Sequence, residues 1–398
     1  MRLRTLFCSL FCGTLLVAFG TVKAEPLDKL EKKVEDLAAE ISMMKGDTGE
    51  ETPFDVTVSG SVNMGVLVID DNCPSGTDHQ EVFIVDNDNA ATRLRVDATK
   101  SYNDDLTVGA TVELQYEVNS TGDIAQSQSA LAGNDYLTRR FIEVFFESEK
   151  FGTAFVGFGS TASDGSTEND FSETWVAACS AVDSIAGGLI LRDKSDGALT
   201  TGGALLHVYD VFMGLDGLDR DMRVRYDSPS YYNVNAAVSV LDGGDWDAAL
   251  MYSGDVKDFS IDATVAYANA RQVDGHHQIS GSAATIHNPT GLNLAVAGAT
   301  RQLEDAARNN LYYYYVKLGL IRDFFEVGST AISVDAYNGF EMSSNDDKST
   351  TYSLALVQSV DKINTQFYIT GRNHKYTDAT STEYEKINAV LLGARVIF

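Results

Sequence analysis

The sequence predicts an all-β fold, a transmembrane antiparallel β-barrel of 16 strands, with a short N-terminal α-helical coiled-coil segment before it. The prediction rests on the final strand, on the recurrence of its pattern, and on the lengths of the connections. In the final strand Val390, Leu392, Val396 and Phe398 form an apolar face, whereas Arg395 belongs to the other face. The same two-residue period recurs along the chain without helices to cover it. This indicates a sheet that has lipid on one side.

The first 24 residues have the pattern of a secretory signal peptide. Arg2 and Arg4 precede an apolar run over 6–19, and Ala24 ends a plausible cleavage site. The run is too short for a membrane-spanning helix, and no later segment approaches the ~18 consecutive apolar residues that such a helix needs. If the mature protein is in a membrane, we therefore expect strands rather than helices to cross it.

Charge and composition exclude several classes of function. Removal of Arg2, Arg4 and Lys23 with the signal peptide takes the formal net charge from -27 to -30, so nucleic acid is not an expected partner. The cysteines and histidines are scattered and do not form a metal site, and there is no phosphate-binding glycine motif or convincing catalytic triad. We therefore predict no enzyme activity, no cofactor and no bound metal.

Residues 25–50 form a predicted periplasmic helix and linker. Apolar residues repeat there with alternating spacings of 3 and 4, at Leu27, Leu30, Val34, Leu37, Ile41 and Met44. This is a short heptad pattern. It fits a self-associating coiled coil, or a single amphipathic helix that lies on the base of the barrel.

Residues 51–398 form the predicted barrel, in which strands alternate with turns. The first strand begins at Asp55, and in the third Leu106, Val108 and Val112 share one face. The remaining strands are predicted near 91–102, 138–148, 152–160, 219–228, 231–241, 245–254, 258–268, 277–287, 291–301, 311–321, 325–338, 350–360, 363–373 and 386–398. The total of 16 lies in the range that leaves an aqueous channel.

Short and long connections alternate along the predicted strands. Tight turns such as 103–105 and 149–151 separate longer polar loops at 70–90, 119–137 and 161–218. Short turns on one rim, long loops on the other and both termini at the short-turn rim are typical of an outer-membrane barrel. The strands of a soluble β-sandwich also alternate apolar and polar residues, but such a fold does not normally need so many strands of this length.

Several segments, taken in order, resemble a Gram-negative general porin. They are Val56–Asn63, Val85–Asn89, Thr92–Arg95, Phe151–Gly157, Arg223–Pro229 and Gly393–Phe398. The resemblance implies a homotrimeric diffusion channel in the outer membrane of a Gram-negative bacterium, in contact with outer-membrane lipid and lipopolysaccharide. It also implies that barrel assembly machinery reads the terminal Phe398 as an assembly signal.

The resemblance further implies that the third loop, about 161–218, folds into the barrel and narrows the pore. Its acidic residues are candidates for one side of the constriction: Asp164, Glu168, Asp170, Glu173 and Asp183. Strand alternation places five basic residues on the lumen side of the wall: Arg93, Arg95, Arg139, Arg223 and Arg225. Such an arrangement would create a transverse field that filters ions. Alternatively, these arginines are solvated or pair with Glu113, Glu117 and Asp97.

The mature chain keeps two cysteines, Cys73 and Cys179, both in predicted outer loops of a compartment that permits disulfides. They either form a bridge between the first and third loops or remain free thiols. For the function, we expect a porin that passes small hydrophilic solutes and ions passively, with a preference for cations. The alternatives are a structural anchor that tethers the envelope through the N-terminal helix, and a substrate-specific porin.

Overall fold

The computed structural model describes residues 54–72, 80–126, 136–195, 197–199, 205–272, 274–379 and 383–398. The chain divides into two units, Met1–Phe54 and Asp55–Phe398, and the second is the barrel. The predicted signal peptide, the predicted helix at 25–50 and Cys73 lie outside the described residues. None of the helices in the described ranges has the length and hydropathy needed to cross a bilayer.

The described residues contain 17 strand segments and a few short helical turns. The strands are β1 (Asp55–Asp70), β2 (Gln80–Asp86), β3 (Arg93–Ser101), β4 (Leu106–Tyr116), β5 (Leu137–Ser148), β6 (Gly152–Ser160), β7 (Arg220–Asp227), β8 (Val234–Leu241), β9 (Trp246–Val256), β10 (Phe259–Ala270), β11 (His276–His287), β12 (Leu292–Leu303), β13 (Leu311–Phe325), β14 (Gly328–Phe340), β15 (Lys348–Val360), β16 (Thr365–Thr377) and β17 (Ile387–Ile397). The helical turns are α1 (Val208–Val211) and three 3₁₀ turns at Asp88–Ala90, Val182–Ser184 and Asp361–Ile363.

The strands form one closed antiparallel sheet, because β1 pairs with β17 on one edge and with β2 and β3 on the other. β2 and β3 pair with successive halves of β1, so together they form a single wall strand and the barrel has 16 strands, as the sequence predicts. The prediction missed β2, which it assigned to the loop at 70–90. The segment between β2 and β3 is held to β1 by Asn63, whose Nδ2 donates to the backbone oxygen of Ala90 at 2.8 Å.

Alternation along the strands separates a lipid face from an interior face. On β1, Val62 and Met64 are exposed on the outside, whereas Asn63 and Leu67 are fully buried on the inside. On β5, Ile142 and Val144 are likewise exposed on the outside. Apolar residues on the outer face are stable because the surrounding solvent is hydrocarbon, which is the pattern expected of an outer-membrane barrel.

The described residues of the connection over 161–219 pack mainly against the inner face of the barrel wall. Its apolar residues Val182, Ile185 and Phe212 share one hydrophobic core with Tyr337 of β14 and Leu391 of β17. Polar contacts add to this packing, since the wall residues Ser349 and Arg372 donate to backbone oxygens of the loop. The loop is therefore fixed to one side of the interior, and the side formed by β3 to β7 remains for a channel.

The C-terminal residue closes the sheet against the first strand. Phe398 donates its backbone N–H to the oxygen of Gly60 at 3.0 Å, and Gly60 donates to the oxygen of Phe398 at 2.8 Å. The Phe398 ring lies against Gly60 on the outer face, where it is 57% exposed. The ring therefore faces lipid, and its role as an assembly signal stays a prediction.

Candidate functional site

The interior wall of β3 to β5 carries a cluster of three arginines around one carboxylate. Glu113 of β4 is buried and lies 2.8 Å from Arg140 Nε, 3.2 Å from Arg95 Nη1 and 3.5 Å from Arg93 Nη1. Arg95 also forms an ion pair of 2.7 Å with Asp97 on its own strand. The side chains of Arg93 and Arg95 keep exposures of 25% and 36%, so they line an open space rather than a sealed core.

One predicted lumen residue, Arg139, lies on the opposite face of the wall. A β-bulge places Phe141 opposite Glu113 and Arg139 opposite Leu114, although Glu113 and Leu114 are adjacent on β4. The additional residue reverses the alternation, so Arg140 takes the interior position. Arg139 is exposed, and its guanidinium lies 4.2 Å from the ring centre of Phe158 on the outer face. The assignment of Arg139 to the constriction was therefore wrong, and Arg140 replaces it.

Arg223 and Arg225 of β7 lie on the interior face and bind acids and backbone oxygens. Arg223 is buried and pairs with the Glu143 carboxylate of β5. Arg225 pairs with Asp227 at 2.7 Å and donates to the oxygen of Thr161 at 2.8 Å. The alternative that the arginines pair with Glu113, Glu117 and Asp97 therefore agrees with the contacts of Arg93 and Arg95, whereas Arg223 and Arg225 pair with acids that it did not name.

Two of the five predicted loop acids face the arginines. Asp164 lies 3.5 Å from Arg220 at the start of β7. Burial, and then the nearby charges of Asp216 and Asp164, raise the pKa of the Glu168 carboxyl to about 8. These acids therefore lie close enough to repel one another when ionised.

The other three predicted acids have different surroundings. Asp170 is buried against β13, where its Oδ2 lies 2.7 Å from Lys317 Nζ. Glu173 accepts a hydrogen bond of 2.6 Å from Ser329 Oγ, beside the start of β14. Burial raises the pKa of Asp183 to about 7, and this residue lies within electrostatic range of Asp88 and Arg372. Asp170 and Glu173 therefore contact β13 and the start of β14 rather than the arginines, and their place in the constriction stays a prediction.

The structure also brings together charged residues that the sequence analysis did not select. Asp88 interacts electrostatically with Arg93 and Arg140, and Asp219 interacts with Arg140 and Arg220. Asp123, Glu117 and Asp216 complete the acidic side. Burial and the neighbouring Asp88 raise the pKa of Glu117 to about 8. No sequence period identifies these residues, because most of them lie in irregular segments outside the strands.

Cys179 is buried in the third loop and forms no disulfide with any of the described residues. The Sγ donates to Asn89 Oδ1 at 3.4 Å, and burial raises the pKa of the thiol to about 12. The other cysteine, Cys73, lies outside the described residues, so the disulfide stays a prediction. Within the described ranges, no cluster of three or more histidine, cysteine or acidic side chains has an arrangement that could hold a metal ion.

Solved structures share the overall fold. The chain is similar to an anion-selective porin from Comamonas acidovorans, with a TM-score of 0.57, 14% identity, and coverage of 87% of this chain and 100% of that one. It is also similar to the outer membrane channel DcaP of Acinetobacter baumannii, with a TM-score of 0.55, 13% identity, and coverage of 88% of this chain and 99% of that one. A third similar structure is the trimer form of in-vitro folded OmpT, an outer membrane protein of Vibrio cholerae. Its TM-score is 0.53, its identity is 12%, and the match covers 87% of this chain and 100% of that one.

The comparison with protein families extends over most of the chain. No curated protein sequence matches. A family model described as Gram-negative porin matches residues 37–379. The closed barrel, its apolar outer face and its charged interior agree with that match. The chain therefore belongs to the Gram-negative porin family and is an outer-membrane channel rather than an enzyme.

Proposed function

We propose that this porin passes small hydrophilic solutes and ions by passive diffusion, with a preference for cations. The observation that carries the proposal is the excess of acids over arginines around the remaining lumen. On the wall, Arg95, Arg223 and Arg225 have carboxylate partners within hydrogen-bond distance, whereas Arg93 is repelled by Arg140, Arg220 and Arg395. On the loop side, acids lie close to one another and repel. The larger number of acids gives the gap a net negative charge.

A count of the charged groups in and around the gap also indicates a net negative charge. The arginines are Arg93, Arg95, Arg140, Arg220, Arg223, Arg225 and Arg395. The acids are Asp88, Asp97, Glu113, Glu117, Asp123, Glu143, Asp164, Glu168, Asp216, Asp219 and Asp227. Acids outnumber arginines even with Glu117 and Glu168 counted as protonated. Charged rings of this kind select ions by sign.

Size exclusion would come from the third loop, which is fixed to the wall by contacts along its length. Ser163 Oγ donates to Asp247 of β9 at 2.5 Å, and Asn169 Nδ2 donates to Thr264 of β10 at 2.9 Å. Thr174 forms a hydrogen bond of 2.7 Å with Ser333 of β14. A loop fixed at several separate strands defines a constant aperture, which favours a passive filter.

Reversal potentials in a planar bilayer under a KCl gradient test the preference. We expect a reversal potential of the sign set by K⁺ permeation. Its magnitude should be smaller for the double variant Asp164→Asn with Asp219→Asn. The control is Asp258→Asn, which alters a carboxylate in the turn between β9 and β10, outside the group of acids that faces the arginines. A potential of the sign set by Cl⁻ in the unaltered protein contradicts the proposal.

We also propose a homotrimer that contacts outer-membrane lipid and lipopolysaccharide and is inserted by barrel assembly machinery. The trimer form of the Vibrio cholerae OmpT structure supports the oligomeric state. Purification without boiling should give an oligomer that dissociates into monomers on heating. A monomer by light scattering in mild detergent contradicts the trimer.

A further inference from the structure

Three phenylalanines face the interior on the wall opposite the third loop. Phe141 and Phe145 alternate along β5 with Ile142, Val144 and Phe146, which are exposed on the outer face. Phe155 of β6 pairs directly with Phe145, and their ring centres are 6.1 Å apart. All three rings are half-buried. They extend from the level of Glu113 toward the short turn at 149–151.

Guanidinium groups lie next to two of these rings. Arg95 and Arg220 are 5.4 Å and 6.0 Å from the ring centre of Phe141. Arg223 and Arg225 are 5.7 Å and 5.9 Å from the ring centre of Phe155. These distances are within the range of cation–π attraction. We call these three rings and four guanidinium groups the arginine–phenylalanine wall.

Two glycines leave room for the rings beside the strands. Gly109 of β4 is directly opposite Phe145, and a Cβ at this position would lie 2.3 Å from the ring. A Cβ on Gly159 would lie 2.9 Å from the ring of Phe141. Larger residues would push the rings into the lumen. The backbone therefore accommodates aromatic side chains along this wall without filling the channel.

Two arginines of this wall do not offer free positive charge. Arg95 donates to Asp97 and Glu113, Arg223 donates to Glu143, and these carboxylates neutralise both guanidinium groups. An anionic solute would have to compete with the wall's own carboxylates. A planar apolar group needs none of the N–H donors. Because guanidinium groups already lie over the rings of Phe141 and Phe155, it would stack on the ring surface that remains, chiefly that of Phe145.

We propose that aromatic ammonium ions are a preferred solute class of this channel, with the aromatic ring on the arginine–phenylalanine wall and the ammonium toward the acidic loop. The inference rests on the proposed cation-preferring channel and adds a solute class to it. Stacking on Phe145 and Phe155 would retard such ions relative to ions of the same size and charge that lack an aromatic ring. The retardation should appear as concentration-dependent block of the K⁺ current.

The test compares 2-phenylethylammonium with 2-cyclohexylethylammonium as blockers of K⁺ current through the full-length protein in planar bilayers. We expect the aromatic ion to block at about three- to tenfold lower concentration, the factor typical of aromatic pairing. The double variant Phe145→Leu with Phe155→Leu should abolish the difference. Phe146→Leu is the matched control, because Phe146 is on the same strand and faces outward.

Each other outcome contradicts the proposal. Equal block by the two ions, or an unchanged difference in the double variant, would show that the wall does not bind aromatic rings. Stronger block by phenylacetate would show that the solute class is anionic. Heat-modifiable gel mobility establishes that the variants are folded. Absence of conductance in the unaltered protein would overturn the channel function itself, a result distinct from conductance without selective block.

Discussion

Lys317 of β13 reaches from the barrel wall to Asp170 of the third loop, with 2.7 Å between Nζ and Oδ2. The same ammonium donates to the backbone oxygen of Ala178 at 2.7 Å. Both side chains are almost fully buried, with exposures of 1% and 8%. A buried charge is stable only when its partner is present, so each residue depends on the other. This contact fixes the loop to the wall on the side away from the arginines.

Replacement of Lys317 by methionine should loosen the third loop. The change leaves Asp170 buried without its cation, which costs about 3–5 kcal/mol in comparable pairs. We expect a noisier single-channel current with larger conductance, because the loop no longer holds a constant aperture. The double variant Lys317→Met with Asp170→Leu should recover a steady current. A steady current of unaltered size in the single variant would show that the ion pair does not hold the loop.

Cation preference should rise as the pH is raised from 6 to 9. The Glu168 carboxyl, with its pKa at about 8, is protonated and neutral at the lower pH and negative at the higher pH. Its ionisation adds one negative charge beside the channel, so K⁺ permeability relative to Cl⁻ should increase, about two- to fourfold for a unit charge near the permeating ion. Reversal potentials at fixed salt gradient measure this ratio. Glu168→Gln should reduce the pH dependence, and an identical profile in that variant would assign it to other groups.

The bulge in β5 predicts different effects for two adjacent arginines. Arg140→Ala removes a positive charge from the lumen and should raise cation preference, again by about two- to fourfold. Arg139→Ala removes a charge from the outer face and should leave selectivity unchanged, which makes it the matched control. Reversal potentials of the two variants, measured side by side, give the comparison. The reverse result would place Arg139 in the lumen and contradict the bulge.

Loss of the terminal aromatic should impair assembly more than conduction. Deletion of Phe398 removes both of its backbone hydrogen bonds to Gly60 and the ring that covers this glycine. We expect less folded protein in the outer membrane, measured as the heat-modifiable fraction, with unaltered conductance for the molecules that do assemble. Phe398→Tyr keeps the ring and the backbone contacts and should assemble normally. Normal assembly of the deletion would show that the terminal residue is dispensable.

Local pattern predicted the wall of the barrel well. A strand places successive side chains on opposite faces, so alternation alone assigns Arg93, Arg95, Arg223 and Arg225 to the interior. The same rule failed at Arg139, where one additional residue in β5 reverses the faces. It also missed β2, because the interruption at Asp88–Ala90 divides one wall strand into two short segments.

The sequence by itself determined the number of wall strands and the two faces of most of them, because the side-chain period of a strand is a local property. The tertiary structure decided which charges meet. The loop at 161–219 has no period, and Asp170 finds its partner 147 residues away on β13. Such contacts depend on how the loop packs inside a closed barrel. Some loop acids, such as Asp164, face the arginines, whereas others, such as Asp170, hold the loop to the wall. Only that packing decides which acid does which.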